Sequence, residues 1–472
     1  MDQWEVIDVE RVSADRLARM LGAWQTADEP AGNALRDSLA ELIDGAHLPA
    51  GQKMPGQRDL AGVLGLARGT IARVYTALED GGRLRAVRGS GTYVRHPRLA
   101  AESGQGRLAS FDDRTPEAVL DLSSGALPGT EAVARALPEV GRLLHEHHLS
   151  DTGYHPAGLP ELRETVAAAF SARGLPTNTD EVLITAGSQQ AIWLLATALT
   201  GPGDLVLVED PTYRGALEAF ARSGARLHGI PMTMAGADPN LLAHEAPRAD
   251  LIYLQPALHN PTGVHAGTGR RRELAEALSR TDALVIDDQS NAELSWTRSD
   301  VLPGFERLVD PARLLFVGTL SKLFWGGIRV GWIRGPRSVI GRLTDLRRSL
   351  DLAGSMLDQL AAVLLLPQAP VQQKVRRSFM STHFEAVTAV LEDTLPTWRS
   401  WLPAGGSGLW IDTGTDAVAL AQRALPLGIR LTAGPAFSPH DGHREFLRLP
   451  VWQPSGQFAK AMAVLAELSH HP

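Results

Sequence analysis

The sequence has no cysteine and no long apolar run, and both absences narrow what the protein can be. None of its 472 residues is cysteine, so disulfide bonds, a thiolate nucleophile and a cysteine zinc site are excluded. The longest apolar stretches, such as the seven residues LAAVLLL from Leu360, are far shorter than the roughly 18–20 residues that cross a bilayer. We therefore expect no membrane partner.

A secretion signal is also missing from the first residues. The stretch MDQWEVIDVERV is acidic and lacks the basic start and apolar centre of a signal peptide, which predicts a cytoplasmic location. A hydrophobic content of 44% and a charged content of 21% are typical of globular proteins, and the length allows two or three domains. The net charge of −7 argues against uniform, non-specific binding of nucleic acid. The pattern of residues 1–30 indicates no role for them.

Residues 33–95 show the pattern of three helices followed by a hairpin. In NALRDSLAELIDG the apolar residues recur at helical spacing, which predicts an amphipathic helix. The stretch RDLAGVLGLARGTIARVYTALEDGG divides into a short helix around Leu60 to Leu64, a tight turn near Gly65, and a longer helix. This order predicts a helix-turn-helix. The segments LRAVR and GTYVR, joined through residues 89–91, are typical of a hairpin wing.

Positive charge is concentrated in the same region. Between Gly51 and Arg98 there are nine lysines or arginines against three acids. The basic residues are Lys53, Arg58, Arg68, Arg73, Arg83, Arg85, Arg88, Arg95 and Arg98. Such a cluster is expected where a protein contacts the phosphates of double-stranded DNA. A basic three-helix packing module that binds no DNA remains an alternative.

From about residue 121 the pattern becomes that of an α/β protein. Residues 97–120 are polar, with glycine, serine and proline, and predict an interdomain linker between domains at 1–96 and 121–472. Beyond the linker, short apolar strands alternate with helical stretches. The strands are VLIT from Val182, LVLVE from Leu205, LIYL from Leu251, ALVID from Ala283 and LLFV from Leu314. This alternation predicts a mostly parallel sheet covered on both faces, with ligands at the carboxyl ends of its strands.

Lys322 follows the last of these strands, in the stretch GTLSKLFWGGIRVGW. A lysine held in partly apolar surroundings loses its proton more readily than a surface lysine and can form a Schiff base. Thr319, Ser321 and Arg329 add two hydroxyls and a guanidinium, which suit a phosphate dianion beside that amine. A lysine in a solvated loop is the simpler alternative.

Four further motifs lie at the ends of strands. ITAGSQQ places Ser188 and Gln189 between a strand and a helix, where an anion can bind. Tyr213 in VEDPTYRG can stack on a planar group or simply belong to the core, and Asn260 in HNPTG lies in a turn with a free amide. Asp287 in ALVIDDQS is a carboxylate at a buried strand end, which needs a partner such as a protonated pyridine nitrogen.

The histidines offer no comparable signal. His145, Glu146, His147 and His148 are adjacent, but their spacing is not that of HExxH, so a solvated helix end is the preferred interpretation and no metal site is expected. His470 and His471 lie at the end of the sequence, where disorder is the default.

These motifs carry two family resemblances. The segments RDLA, ARGTIARVYTALEDGG and RGSGTYV resemble the winged helix-turn-helix domain of GntR-type bacterial regulators. That resemblance implies DNA contacts by Arg58, Arg68, Thr70 and Arg73 on the helices. It also implies DNA contacts by Arg88 and Gly91 on the wing.

The region 121–472 resembles the fold-type I aminotransferases, which bind pyridoxal 5′-phosphate. The resemblance implies a Schiff base on Lys322, an Asp287 contact to the pyridine nitrogen, an Asn260 bond to the phenolic oxygen and stacking by Tyr213. Ser188, Gln189, Thr319, Ser321 and Arg329 would hold the phosphate, together with Tyr154 from the neighbouring subunit. Arg448, in REFLRLP, resembles the arginine that binds a carboxylate bidentately.

One position departs from the family pattern. Two residues beyond Asp287, where these enzymes usually have a tyrosine that bonds the phenolic oxygen, the chain has Gln289. Its amide can donate a hydrogen bond but lacks the acidity of a phenol. The substitution puts transamination in doubt and leaves cofactor binding intact.

A GntR-like domain joined to an aminotransferase-like domain resembles the MocR subfamily of regulators. The resemblance implies a head-to-tail, domain-swapped homodimer. It also implies a transcription regulator whose DNA affinity depends on pyridoxal 5′-phosphate, with or without an amino-compound effector. A catalytically active aminotransferase with an accessory DNA-binding module is the alternative, and a sensor of the cofactor alone is a third. The operator, the sign of regulation and the effector are not indicated by the sequence.

Overall fold

Two compact units make up the chain. The computed structural model describes residues 12–22, 24–25, 30–44, 48, 52–80, 83–87, 91–94, 120–296, 305–453 and 455–470. The first unit holds the chain up to Val119 together with residues 418–430 and 468–472, and the second holds residues 120–417 and 431–467. Except for Leu120, the predicted linker lies outside the described residues.

The described N-terminal part of the first unit contains four helices and a hairpin. The elements are α1 (Ala14–Leu21), α2 (Ala31–Asp44), α3 (Gln57–Leu64), α4 (Arg68–Asp80), β1 (Leu84–Val87) and β2 (Gly91–Val94). Gly65, in the left-handed conformation at φ 66°, ends α3 and makes the turn into α4. The predicted apolar face of α4 is buried, since Ile71, Val74 and Leu78 are at most 3% exposed. The predicted helix-turn-helix is confirmed.

The wing is wider than the sequence pattern indicates. β1 and β2 pair antiparallel, as predicted, and residues 52–54 add backbone hydrogen bonds along the outer edge of β2. The backbone N–H of Met54 donates to the carbonyl of Thr92, and that of Val94 donates to the carbonyl of Gln52. The segment before α3 is thereby fixed to the wing.

Helix α1 was not predicted. Ser13 caps it by accepting a hydrogen bond from the backbone N–H of Arg16, and Leu17 and Leu21 are buried in the same apolar cluster as α2 and α4. Ala14, Leu17 and Leu21 recur at helical spacing, a signal that the interpretation of residues 1–30 did not use.

In the described residues of the second unit, the large sheet has eight strands in the order β4-β11-β10-β9-β8-β5-β6-β7. Parallel pairing joins β10 to β9, β9 to β8, β8 to β5 and β5 to β6, whereas β11 runs antiparallel to both of its neighbours. The strands from residue 120 on are β3 (Leu120–Asp121), β4 (Val182–Thr185), β5 (Leu205–Asp210), β6 (Arg226–Thr233), β7 (Gly236–Ala237), β8 (Leu251–Leu254), β9 (Leu284–Asp288), β10 (Leu314–Thr319), β11 (Gly331–Arg334), β12 (Arg399–Ser400), β13 (Gly408–Asp412), β14 (Ile429–Arg430) and β15 (Phe446–Pro450). The predicted α/β class with a mostly parallel sheet is confirmed.

Both faces of this sheet are covered. In β10, Leu314 and Phe316 enter one apolar cluster and Leu315 and Val317 enter another, because successive side chains of a strand point to opposite faces. Every residue of β10 is buried. The helices from residue 120 on are α5 (Glu131–Leu143), α6 (Pro160–Ala172), α7 (Ser188–Leu199), α8 (Arg214–Arg222), α9 (Pro239–Glu245), α10 (Thr268–Leu278), α11 (Arg337–Leu350), α12 (Met356–Leu365), α13 (Ala369–Thr394), α14 (Ala417–Ala424) and α15 (Ser455–His470).

A smaller antiparallel sheet in the order β12-β13-β15 was not predicted. It matters for function because it places Arg448 in the middle of β15, opposite Trp410 of β13. Among the helices that the structure describes, none is long and apolar enough to span a membrane.

Candidate functional site

Lys322 lies three residues beyond β10, at the carboxyl edge of the large sheet. Its Nζ donates a hydrogen bond to the carbonyl oxygen of Gly125 at 2.9 Å. Burial lowers the pKa of Lys322 to about 7, and the positive charges of Arg448 and Arg214 contribute to this lowering against the opposing effect of Asp288. A substantial fraction of the amine is therefore neutral near pH 7, the form that attacks a carbonyl carbon.

Arg448 joins the same group of polar atoms through one serine. The carbonyl oxygen of Gly125 also accepts a hydrogen bond from Ser407 Oγ at 2.9 Å, and Ser407 Oγ accepts one from Arg448 Nη2 at 3.0 Å. A Cβ on Gly125 would lie 2.1 Å from Arg448 Nη2, so a larger residue there would displace that guanidinium. Lys322 and Arg448 are thus fixed around one carbonyl group.

The guanidinium of Arg448 has no counter-ion among the described residues. It is 5% exposed, and its Nε is buried without a hydrogen-bond partner in that part of the chain. Burial lowers the pKa of Arg448 to about 9, and the charge of Arg214 contributes. A buried cation with an unused donor favours an incoming carboxylate.

Arg214 is a site residue that the sequence interpretation missed. It is the first residue of α8 and is 6% exposed. Its Nη1 donates to Thr432 Oγ1 at 3.2 Å and its Nη2 to the carbonyl of Ser123 at 3.3 Å. Its position directly after Tyr213 was the one available signal, but an arginine at the start of a helix is usually exposed.

The start of α7 and Arg329 form an anion-binding corner. Gly187, at φ 82°, precedes Ser188, the first residue of the helix. Arg329 adopts the left-handed conformation, and its Nη2 donates to the carbonyl of Ala186 at 2.5 Å. A Cβ built on Gly187 would lie 3.0 Å from the same Nη2. A guanidinium beside the free N–H groups of a helix start suits a phosphate.

Thr319 and Ser321 lie at the end of β10 and just beyond it. The hydroxyl of Thr319 accepts a hydrogen bond from the backbone N–H of Ser321 at 3.1 Å, and the two hydroxyl oxygens are 2.9 Å apart. Thr319 Oγ1 also donates to the carbonyl of Val330 at 3.0 Å. These bonds fix the turn that carries Lys322.

Tyr213 and Gln189 are held together. The Tyr213 hydroxyl donates to Gln189 Oε1 at 2.9 Å, and Gln189 Nε2 donates to the carbonyl of Gly215 at 3.2 Å. Burial raises the pKa of Tyr213 to about 12, so the phenol stays neutral. Gln189, predicted to hold a phosphate, orients the aromatic ring in this structure.

Asp287 is fully buried near the end of β9, and one of its oxygens has no partner among the described residues. Oδ2 accepts a hydrogen bond from Gln289 Nε2 at 3.2 Å, whereas Oδ1 is buried without a hydrogen bond from any of them. Burial raises the pKa of Asp287 to about 7, and the charge of Glu306 contributes. A buried carboxylate oxygen in this state calls for a donor from a ligand.

Asn260 and Tyr154 are the remaining predicted cofactor residues. Asn260 is half-buried in the turn after β8, and its carbonyl accepts a hydrogen bond from Gln255 Nε2 at 3.4 Å. Tyr154 lies ahead of α6 and is 64% exposed.

Among the predicted DNA-contacting residues that the structure describes, Thr70 is half-buried and the others are exposed. Arg58 on α3 and Arg68 on α4 are exposed. On α4, Thr70 and Arg73 are the other predicted contacts. Gly91, exposed at the start of β2, has a φ of 126°. Arg88 lies outside the described residues.

The histidine-rich segment 144–148 forms a π-helical turn directly after α5. His145 and His147 are exposed, and Glu146 forms an ion pair with Arg142. Within the described ranges, no group of three or more potential ligands is arranged to hold a metal ion.

Comparison with known families matches both parts of the chain. Residues 117–455, more than half of the sequence, match the family described as "Aminotransferase class I and II". Residues 32–94 match "Bacterial regulatory proteins, gntR family". Helix α1 lies outside both matches.

Three similar proteins match different shares of the chain. The chain is 29% identical over 466 residues to the "Probable rhizopine catabolism regulatory protein MocR" of Rhizobium meliloti, covering 92% of this chain and 91% of that one. It is 28% identical over 442 residues to the "Uncharacterized HTH-type transcriptional regulator YdfD" of Bacillus subtilis (strain 168), covering 87% and 90%. LysN, an α-aminoadipate aminotransferase from Thermus thermophilus solved with N-(5′-phosphopyridoxyl)-L-leucine, is similar with a TM-score of 0.67 and 27% identity, covering 75% of this chain and 92% of that one. The two regulators match most of the chain, whereas the enzyme matches three quarters of it.

Proposed function

Because the chain belongs to the aminotransferase class I and II family and carries a GntR-family domain at residues 32–94, we propose that it is a transcription regulator that binds pyridoxal 5′-phosphate. The observation that carries the proposal is a helix-turn-helix within a basic region of one unit, together with a partly buried and partly neutral lysine in the other. Two regulators similar over most of the chain support it.

The residues present fit this cofactor. Asp287 Oδ1, which lacks a partner among the described residues, suits a protonated pyridine nitrogen, and the corner of Gly187, Ser188 and Arg329 suits a phosphate. Thr319 and Ser321 would add hydroxyl donors, Asn260 would bond the phenolic oxygen and Tyr213 would stack on the ring. When bound, the cofactor supplies an aldehyde that reacts with an amine and a ring that accepts electrons.

Each residue then has a physical task. Lys322 supplies a neutral amine because burial and two neighbouring arginines lower its pKa to about 7. Arg448 orients the carboxylate of an amino-compound effector, since its Nε is buried and has no partner among the described residues. The apolar residues around β10 exclude water and so strengthen these electrostatic contacts.

The first unit would bind double-stranded DNA. We propose that α4 is the helix that enters the major groove, with Arg68, Thr70 and Arg73 reaching the DNA and Arg58 approaching from α3. Gly91 and Arg88 would contact DNA from the wing. The core of Ile71, Val74 and Leu78 holds α4 rigidly for this purpose.

Regulation requires that the ligand-binding site affect the DNA affinity. A ligand shifts an equilibrium only if it binds two states with different affinity. We propose that the cofactor, alone or with an amino compound, favours one arrangement of the two domains, and that residues 97–120 accommodate the change. We also propose a head-to-tail homodimer in which the exposed Tyr154 of one subunit completes the phosphate site of its partner. Light scattering that finds a monomer would contradict the dimer.

DNA selection with purified protein tests the regulatory proposal. Random double-stranded fragments would be captured with and without pyridoxal 5′-phosphate and then sequenced. We expect one enriched motif whose yield depends on the cofactor. The absence of any enriched sequence in both conditions would refute the proposal.

A working aminotransferase is a second candidate, favoured by the enclosed Lys322, Arg448 and Asp287. Steady-state turnover with a panel of amino and keto acids distinguishes the two. Rates of roughly 1–10³ per second, typical of enzymes, would support the aminotransferase, whereas a single slow spectral change would support the regulator. We expect the latter, because Gln289 replaces the phenol that such enzymes usually have.

A further inference from the structure

Gln289 bridges two groups of opposite charge. Its Nε2 donates to Asp287 Oδ2 at 3.2 Å, and its Oε1 accepts from Arg173 Nη1 at 3.1 Å. Arg173 lies directly after α6, 116 residues before Gln289 in the chain. The bridge therefore links a helix end to the carboxyl end of β9.

The chemistry of both neighbours fixes the orientation of this amide. A guanidinium can only donate hydrogen bonds and an ionised carboxylate can only accept them. A side-chain amide carries a donor and an acceptor on separate atoms, so Gln289 can satisfy both neighbours at once. A methionine of similar length can satisfy neither.

Arg173 is itself held in place. Its guanidinium lies over the ring of Phe170, with Cζ 4.4 Å from the ring centroid. Its Nε is buried with no hydrogen bond to any described residue. Burial raises the pKa of Glu293 to about 7, and the charge of Arg173 opposes that rise. The cation is therefore a fixed source of positive potential behind Gln289.

Other charges surround Asp287 and set its ionisation. Glu306 and Glu209 are buried carboxyls that interact unfavourably with it, and Arg271 and Arg173 are cations that favour its ionised form. The hydrogen bond from Gln289 also favours the ionised form. Gln289 contacts Asp287 Oδ2 directly and Arg173 contacts Gln289, so Asp287 Oδ1 remains available to a ligand.

We propose that Gln289 and Arg173 are positioning residues that keep the Asp287 carboxylate ionised and turn its Oδ1 toward the pyridine nitrogen of the cofactor. This inference rests on the proposed function, since it assumes that pyridoxal 5′-phosphate binds here. It gives the replacement of tyrosine by glutamine a positive role: the amide acts on the carboxylate instead of on the phenolic oxygen.

The test measures how the affinity for pyridoxine 5′-phosphate depends on pH. This compound keeps the ring nitrogen and the phosphate but has no aldehyde, and all proteins would carry Lys322→Ala so that the lysine does not titrate. The variants are Gln289→Met, Arg173→Met and Arg173→Lys. The matched control is Gln368→Met, because Gln368 is exposed and its amide donates to the carbonyl of Leu364 on its own helical segment.

We expect the affinity to fall as pH falls through the pKa of Asp287, since the protonated carboxyl no longer attracts the pyridinium. In Gln289→Met and Arg173→Met the midpoint should move up by about one pH unit, the size expected for losing a hydrogen bond to a charged group. Arg173→Lys keeps a positive charge and should therefore move the midpoint less than Arg173→Met does. Gln368→Met should leave the midpoint unchanged.

A double-mutant cycle separates this role from a merely structural one. With Asp287→Asn in the background there is no carboxylate to keep ionised, so Gln289→Met should have no further effect on affinity or midpoint. If Gln289→Met and Arg173→Met leave the midpoint unmoved, or if the effect persists with Asp287→Asn, the inference is wrong while the proposed function stands. If the protein with native Gln289 and Asp287 binds no pyridoxine 5′-phosphate at any pH, the proposed function fails first.

Discussion

In the first unit Arg58 and Arg68 lie exposed on helices, whereas in the second unit Arg448 is buried and Lys322 is partly buried. Exposed cations stay hydrated and suit a large polyanion that approaches from solvent. Enclosed cations cost free energy until an anion joins them, and that cost makes them selective for a small ligand of matching shape. Exposed and buried positive charges therefore suit two different kinds of partner.

The carboxyl groups of the two units also differ in burial. Among the described residues of the second unit, Asp287, Asp288 and Glu209 are buried carboxyls whose pKa burial raises. In the first unit the carboxylate of Asp37 lies on the surface beside Arg36, whose hydrogen bond lowers its pKa. Burial therefore raises the pKa of carboxyls in the second unit, whereas an ion pair on the surface of the first unit lowers that of Asp37.

The largest expected effect comes from replacing Lys322 and should be limited to the second unit. Lys322→Ala should abolish the borohydride-sensitive absorbance band of the imine and the mass gain after borohydride reduction, because the reacting amine is removed. Binding of DNA without cofactor should stay unchanged. Lys374→Ala, at an exposed position on α13, is the matched control. A band that survives Lys322→Ala would show that the lysine is misassigned.

The next largest expected effect is a loss of stability when Arg376 is replaced. It is 3% exposed, and its guanidinium donates to the carbonyls of Leu323 and Phe324 at 2.9 Å and of Pro128 at 2.6 Å. Arg376→Met leaves the carbonyls of the buried Leu323 and Phe324, and that of the exposed Pro128, without these donors, which should lower the free energy of unfolding by about 3 kcal/mol. Arg342→Met, exposed on α11, should change it by less than about 0.5 kcal/mol. Chemical denaturation measures both, and equal stabilities would contradict the role given to Arg376.

Replacing Arg73 tests the DNA binding proposed for the first unit alone. Arg73→Ala should weaken binding to the selected DNA by about 1–3 kcal/mol, roughly 5- to 150-fold, and leave cofactor uptake intact. Arg19→Ala removes an exposed arginine from α1 of the same unit and should have a much smaller effect. Fluorescence anisotropy gives the affinities. A parallel loss of DNA and cofactor binding would argue against separate tasks for the two units.

The smallest expected effect is a shift in pH dependence. Because the pKa of Lys322 is lowered to about 7 from 10.5, its neutral form prevails above pH 7 and cofactor capture should slow as pH falls below that value. Between pH 10.5 and about 7 the amine is protonated in the unfolded chain but neutral in the folded one, so this lysine lowers the free energy of unfolding as pH falls. This loss of stability is complete once pH is below about 7. Arg448→Met removes a neighbouring cation and should raise the midpoint of capture by about half a unit. An unmoved midpoint would mean that Arg448 does not act on the amine.

Local patterns were sufficient to predict much of this architecture. The helix-turn-helix, the wing and five strands of the large sheet follow from periodicity and turn residues, and the predicted resemblance to the MocR subfamily is confirmed by the two family matches and the similar regulators. Motif order also predicted which strand ends carry Lys322, Asp287 and Tyr213. Their roles remain predictions.

Contacts between distant segments could not be predicted in this way. Arg173 meets Gln289 across 116 residues, Ser407 meets Gly125 across 282, and Arg376 reaches Pro128 across 248. Periodicity indicates which face of an element is apolar but not which polar groups converge. The antiparallel β11 inside the sheet was missed for a related reason, because pairing direction depends on how the chain connects the strands.

The most direct test of the account is the affinity of the purified protein for the selected DNA, titrated with pyridoxal 5′-phosphate, alongside Lys322→Ala. We predict that the cofactor changes the DNA affinity of the native sequence and has a clearly smaller effect on Lys322→Ala, which can hold the cofactor only without the covalent bond. If both proteins bind DNA equally well with and without the cofactor, the proposed coupling does not exist.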